Sequence, residues 1–164
     1  MNLAEHQLHM SVTLTVAIGL SLGCLLDCNA AGGGQSVSIR SLAKGAFSGI
    51  RDARQEIVKA ADEWEKLWKQ HAIPAGTTGK IPPVDFSKEM VIVATLGTKR
   101  TGGYSIEIVS AEARDKSLII TVKKSAPPPG AITVQALTAP YHFVAVRRSD
   151  LKAEFVESQE GGKK

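Results

Sequence analysis

Cysteine is almost missing from this chain: two of 164 residues, Cys24 and Cys28, both near the amino terminus. From Asn29 onward there is none, which excludes a disulfide-stapled core and a thiolate metal site in the body of the protein. Histidine is scarce too, and of four only His71 and His142 lie beyond residue 28. Zinc sites need three or four convergent nitrogen or sulfur ligands, so no metal and no cofactor is expected. Aromatic residues make up 5% of the chain, and no dense basic stripe with interleaved aromatics marks a nucleic-acid surface. Residues 1 to 28 hold Glu5 and Asp27 but no Lys or Arg, so the remainder carries all 20 basic residues against 14 of the 16 acidic ones. The pairs Lys99-Arg100, Lys123-Lys124, Arg147-Arg148 and Lys163-Lys164 are scattered and read as solvated surface, with no nucleic-acid partner.

What is present is an ordinary share of apolar residues, 43% hydrophobic against 22% charged, enough for one buried core. The first apolar stretch, Val12 to Leu26, has no charged residue and runs to about 15 residues, the length of a signal-peptide core, whereas a membrane span needs about 20. Asn29, Ala30, Ala31 and the run Gly32-Gly33-Gly34 follow it. Residues 1–31 are therefore read as a signal peptide or lipoprotein signal, and the protein as exported to the periplasm, cell envelope or extracellular space. Leu20-Ser21-Leu22-Gly23-Cys24 resembles a bacterial lipobox with Cys24 as the residue to be acylated, departing from it at Ser21; the alternative is cleavage after Ala30 or Ala31. The opening MNLAEHQLHM lacks the Lys or Arg usual in a signal peptide, which leaves an uncleaved membrane anchor or a buried helix open. Membrane contact is expected only through such a lipid or uncleaved signal.

Residues 32–148 read as one α+β domain, mainly an antiparallel sheet of five to seven strands packed by one amphipathic helix. Ser36 to Leu42 alternates and is read as the first strand, and Phe47 and Ile50 in the connection after it as core residues. Residues 60–71, AADEWEKLWKQH, place Ala61, Trp64, Leu67, Trp68 and His71 on one stripe of a helix, with Asp62 and Glu63 in its first turn and Lys69 near its end. The two tryptophans are read as locking that helix onto the sheet. Ile73 to Pro83, with three prolines and two glycines, is a loop. Met90 to Leu96 is apolar nearly throughout and suits a central strand covered on both faces. Tyr104 to Ala111, Leu118 to Lys123 and Tyr141 to Arg147 alternate as half-buried strands, with Asp115-Lys116-Ser117 as a hairpin turn. Residues 149–164 read as a polar carboxy-terminal tail. Arg54 to Val58 fits either a strand or an extension of the helix.

Two connections carry the candidate binding residues. Lys99, Arg100, Thr101, Gly102, Gly103 and Tyr104 join two cations to a glycine pair that permits positive φ and close backbone approach. A phosphate loop is excluded, because the GxxxxGK[ST] order is absent and a strand follows. Ser125 to Gly130 contains Pro128, Pro129 and Gly130 after Pro127, a stiff extended surface, and Pro140 and Tyr141 stand where the chain enters the strand Tyr141 to Arg147. Each of these stretches reads equally as a plain connection.

Taken in order, Glu63-Trp64-Glu65-Lys66-Leu67-Trp68, Pro82-Pro83 before Val84-Asp85-Phe86-Ser87-Lys88-Glu89-Met90-Val91-Ile92, Thr101-Gly102-Gly103-Tyr104-Ser105-Ile106-Glu107-Ile108, Pro128-Pro129-Gly130 and Pro140-Tyr141-His142 resemble the PrcB carboxy-terminal domain family over residues 40 to 148. The resemblance implies an envelope or extracellular setting, a strand at Arg54 to Val58, and an accessory subunit that accompanies and stabilises an exported protease. His142 near a serine would be the one candidate general base, and a histidine on a strand is read as structural. The function expected is a non-catalytic binding module with a protein partner, which the resemblance implies to be a protease; the alternatives are a protease inhibitor acting through the same loops and an enzyme of unrecognised type.

Overall fold

The computed structural model describes residues 34–72 and 80–158. The stretch read as a signal, with Cys24, and most of the proline-rich loop after the helix lie outside them.

The most apolar stretch of the chain sits where burial is complete. In β4 (Glu89–Leu96) Met90, Val91, Ile92, Val93 and Ala94 are all buried, and their parity divides them between two cores. Val91 and Val93 face the helix α1 (Ala61–Ala72), together with Trp64, Leu67, Trp68, Ile50, Val58 and Phe143. Met90, Ile92 and Ala94 face the other way, with Val144 and Val146, onto Ile106, Ile108, Ala111, Leu118, Ile120 and Val122 of a second sheet. Each fully buried Val, Leu, Ile or Phe contributes about 1.5–3 kcal/mol. The result is three layers, helix on sheet on sheet, with the double-faced strand in the middle layer.

The remaining strands are β1 (Gln35–Ser36), β2 (Arg40–Gly45), β3 (Ala53–Val58), β5 (Ser105–Arg114), β6 (Ser117–Ser125), β7 (Tyr141–Arg147) and β8 (Lys152–Glu157). They form two four-stranded sheets, in the orders β1-β5-β6-β8 and β2-β7-β4-β3. Pairing is antiparallel except between β6 and β8, which run parallel. The class expected from the sequence, α+β and mainly antiparallel, is the class observed. The single sheet of five to seven strands is corrected to eight strands in two sheets.

The extra sheet explains the other departures. Ser36 to Leu42 is not one strand: the chain leaves β1 in one sheet at Ser36 and enters β2 in the other at Arg40. Val37 and Ile39 still turn inward, onto the core between the sheets, so the alternation persists across the crossing. The stretch expected as a polar tail from residue 149 contains β8, because Ala153 and Phe155 alternate with charged residues and pack with Leu151 against the same core. Phe47, expected in the core, is exposed, while its neighbour Ile50 is fully buried. The helix forms as read, with Lys66 to Asp62 and Lys69 to Glu65 pairs at i,i+4 on its outer face. The Asp115-Lys116 turn also forms, with Asp115 at φ 52°.

One side of the sandwich is closed by side chains. β5 carries a bulge in which Val109 is the extra residue, between the pairs Ile108–Val122 and Ser110–Thr121, and which breaks the regular ladder next to Ile108. Its amide donates to His142 Nδ1 at 2.9 Å, across from β5 to β7. His142 Nε2 lies 3.0 Å from Ser41 Oγ on β2, and Lys44 pairs with Glu107 at 2.7 Å along the same side. One buried imidazole thus ties three strands of two sheets together.

Candidate functional site

The β5–β6 hairpin turns at one end of the sandwich; at the other end the chain leaves β4, enters β5, leaves β6 and enters β7, all within two connections. The exit from β4 is fixed by Gly97, at φ +70°, where a Cβ would come within 2.9 Å of the Ala53 amide nitrogen. Thr98 N then donates to the Arg51 carbonyl at 2.9 Å.

The glycine turn and the proline segment are one unit. Lys99 and Thr138 exchange backbone hydrogen bonds of 2.7 and 2.9 Å, Gly102 N donates to the Val134 carbonyl at 2.8 Å, and Thr138 Oγ1 donates to the Thr101 carbonyl at 2.9 Å. Gly103, at φ +86°, lets Pro127 approach so closely that a Cβ would meet its ring at 3.0 Å. A Cβ at Gly102 would meet Val134 only at an ordinary 3.6 Å. The glycine pair therefore divides its labour: Gly103 supplies conformation and clearance, Gly102 a donated hydrogen bond. Pro128-Pro129-Gly130-Ala131 closes a β-turn, with Ala131 N donating to the Pro128 carbonyl at 3.1 Å and Gly130 at φ +80°, the arrangement of a type II turn. The base is held as well, since Ala139 N donates to the Ala46 carbonyl at 2.8 Å.

This pinned unit displays aliphatic side chains. Ile132 is wholly exposed at 103%, Val134 at 72% and Leu137 at 68%, and Phe47 on the neighbouring connection at 58%. Phe47 and Leu137 line a small cavity of about 180 Å³ with Ser48, Arg51, Thr98, Thr138 and Ala139. Arg51 lines that cavity, and Lys99 and Arg100 follow Thr98 in the glycine turn, with Lys99 Nζ 5.5 Å from the centre of the Tyr104 ring. Residues 97–104 and 126–141 contain no Asp or Glu. The surface is aliphatic at its tip and cationic at its flank.

Of the residues singled out in the sequence, Lys99, Arg100, Thr101, Gly102, Gly103, Tyr104, Pro128, Pro129 and Gly130 belong to this unit. Pro140 and Tyr141 do not project from it. Pro140 is buried and its carbonyl accepts from Leu96 N at 2.9 Å. The Tyr141 ring lies 4.2 Å from His71 and 5.0 Å from Phe143, inside the aromatic cluster under the helix, and burial pushes its hydroxyl pKa up. Sequence reasoning missed Ile132, Val134, Leu137 and Phe47. The available signal was the uncharged run Ala131-Ile132-Thr133-Val134-Gln135-Ala136-Leu137 directly after a proline turn.

A larger cleft of about 590 Å³ opens at the opposite end, between the sheets, with Arg40, Lys88, Arg147 and Arg148 at its rim. Arg40 is committed to Glu89 at 2.7 and 2.9 Å, and Arg148 to the Lys59 and Phe86 carbonyls at 2.9 and 2.8 Å. Arg40 thus ties the start of β2 to β4, and Arg148 ties together the connections that follow β3 and precede β4, and volume alone does not make this end the site.

The histidines are occupied structurally. His142 Nδ1 accepts the Ile108 amide, so its proton resides on Nε2, facing Ser41, and no lone pair is left to activate that hydroxyl. Burial lowers its pKa, with the Lys44 charge acting in the same direction and Glu107 against it. His71 lies with Nδ1 3.0 Å from Ser48 Oγ, which already accepts the Ile50 amide at 3.0 Å; burial lowers its pKa also. Among the described residues no group of three or more His, Cys, Asp or Glu is placed to hold a metal ion.

Fold and surface together define a small α+β domain that presents a rigid, uncharged loop tip with cationic flanks. Compared with known families, its residues 90–147 match the model described as PrcB C-terminal, which runs from β4 through β7 and contains both pinned connections. That match bears out the resemblance read from the sequence over this stretch; the helix motif and Pro82-Pro83 lie outside it. No curated protein and no solved structure matches the chain.

Proposed function

We propose that this protein is an exported, non-catalytic accessory module that binds a protease and stabilises it, with the pinned loop unit as its contact surface. The observation that carries this reading is the unit itself. Two connections far apart in sequence are tied into one rigid projection whose outermost side chains, Ile132, Val134 and Leu137, are aliphatic and unburied. A soluble domain that holds such side chains in water gains nothing from them until a partner covers them. Ordering the loop before contact lowers the entropy lost on association. The match of residues 90–147 to the PrcB C-terminal model supports a protease as the class of partner, and the apolar stretch Val12 to Leu26 supports export. Membrane attachment through Cys24 belongs to the same proposal, and no helix among the described residues is long and apolar enough to cross a bilayer.

A photo-crosslinking side chain placed at Val134 of the full chain, in cells, tests this. The expected product joins the domain to an exported protease, and that protease, purified, keeps its activity longer at elevated temperature when the domain is added. Loss of protease activity on mixing would select the inhibitor reading, which the extended, exposed segment around Ile132 also suits. Hydrolysis of a small substrate by the isolated domain, or cross-links only to proteins that are not proteases, would end the proposal.

A further inference from the structure

We infer that the partner meets this domain with a concave aliphatic pocket rimmed by carboxylates, and that Ile132 is the side chain that fills it. This rests on the binding reading above and specifies its chemistry.

The tip is convex. Ile132 follows a type II turn at Pro128–Ala131 and is exposed more fully than any other large apolar side chain among the described residues. Val134 and Leu137 flank it at lower exposure. The segment behind them cannot fold back, because Gly102 holds the Val134 carbonyl and Lys99 holds Thr138. A convex, pre-ordered aliphatic point complements a concave apolar site, where a central anchor carries most of the binding energy.

Charge selects among possible occupants. Lys99 and Arg100 lie in the glycine turn that holds Val134 and Thr138, Arg51 lines the cavity beside Leu137, and neither connection carries a carboxylate. The nearby Asp52 is paired with Arg54 at 3.3 Å. A second copy seated tip to tip would oppose cation to cation, which is unfavourable. A protein pocket with Asp or Glu at its rim would match both the apolar centre and the cationic flank, and would steer the encounter. The flank is also compatible with an anionic bilayer, and the test separates the two.

The experiment uses the full chain and the purified protease recovered by the Val134 cross-link, with association followed by surface plasmon resonance. Ile132→Asp is expected to weaken binding about 100-fold, as loss of a central anchor does. The double variant Lys99→Glu, Arg100→Glu is expected to slow association about 10-fold or more at low salt and to abolish its salt dependence. Val156→Asp, at an exposed position on β8, should bind as the parent. All the substituted side chains lie at the surface or within the pinned turn's solvent flank, and circular dichroism confirms folding. If a protease is recovered but Ile132→Asp and the charge reversal bind as the parent does, this inference is overturned and the accessory function stands. If no protease is recovered, both fall. Sedimentation of the parent, but not of Ile132→Asp, with vesicles of one part phosphatidylglycerol to three parts phosphatidylethanolamine would overturn it in favour of a lipid surface.

Discussion

Lowering the pH should loosen the closed side of the sandwich through His142, and Gln at that position should remove the effect. The imidazole is buried, accepts the Ile108 amide on Nδ1 and faces Ser41 through Nε2. Protonation would turn the acceptor into a second donor and leave the Ile108 N–H facing another N–H, a cost of about 1–3 kcal/mol. The folded pKa is lowered from the ordinary 6.5, so the unfolded chain takes up the proton first. Stability is therefore complete above about pH 6.5 and declines as the pH falls from there through the folded pKa. Because one histidine can withdraw no more than about 1.4 kcal/mol per pH unit, with a urea m-value of about 2 kcal/mol/M the urea midpoint should drop by roughly 0.5–1 M between pH 7.5 and pH 5.0. That lower limit avoids the range in which Glu107 and Glu89, held below the ordinary 4.5 chiefly by hydrogen bonds from Lys44 and Arg40, begin to protonate. His142→Gln can offer an oxygen to Ile108 and an amide to Ser41 without titrating. It should flatten the midpoint-against-pH curve except for the part due to His71, whose pKa is lowered in the same sense. An unchanged curve in His142→Gln, or nitrogen chemical shifts showing the proton on Nδ1 at pH 7.5, would refute this reasoning.

Three further outcomes follow from the packing. Phe143→Ala removes a fully buried ring that meets Trp64, Trp68, His71 and Tyr141, and should cost about 3–5 kcal/mol in chemical denaturation, with no local repacking able to fill the gap. Gly103→Val should release Pro127 and raise hydrogen exchange at Gly102 and Lys99, whereas Gly102→Ala should leave stability within about 0.5 kcal/mol and exchange at Lys99 unchanged. Truncation after Ser149 strips Leu151, Ala153 and Phe155 from the core between the sheets and should give a species that binds a hydrophobic dye and is cut rapidly by added protease.

How far these features could be read from residues alone depends on the range of the interaction that creates them. β4 was legible because complete burial leaves a run without polar interruption, and α1 because Trp64, Leu67, Trp68 and His71 keep one stripe. The assignment of strands to two sheets was not legible, because period-two alternation reports that a face is buried and not against which sheet. Val37 and Ile39 satisfy it while the chain passes from one sheet to the other. β8 was hidden by Lys152, Glu154 and Glu157, which make a short edge strand look like solvent-borne chain. In the candidate site the residue types were visible and their joining was not. Nothing local to Lys99 announces Thr138, and nothing local to Ile132 distinguishes a core residue from an exposed one until the glycine turn is seen to hold its segment away from the core.

The antiparallel β5–β6 hairpin also fixes a polarity for the whole molecule. Gln35 and Ser36 pair beside the hairpin turn, at Ala113 and Glu112, whereas the loop unit grows from Ser105 and Ser125 at the far end, about 30 Å away along a ten-residue strand. Because β8 runs parallel to β6, Ser158 leaves beside Val122, on the tip's side of the molecule. A label fused at the carboxy terminus would crowd the working pole, and one fused ahead of Gln35 would leave it clear.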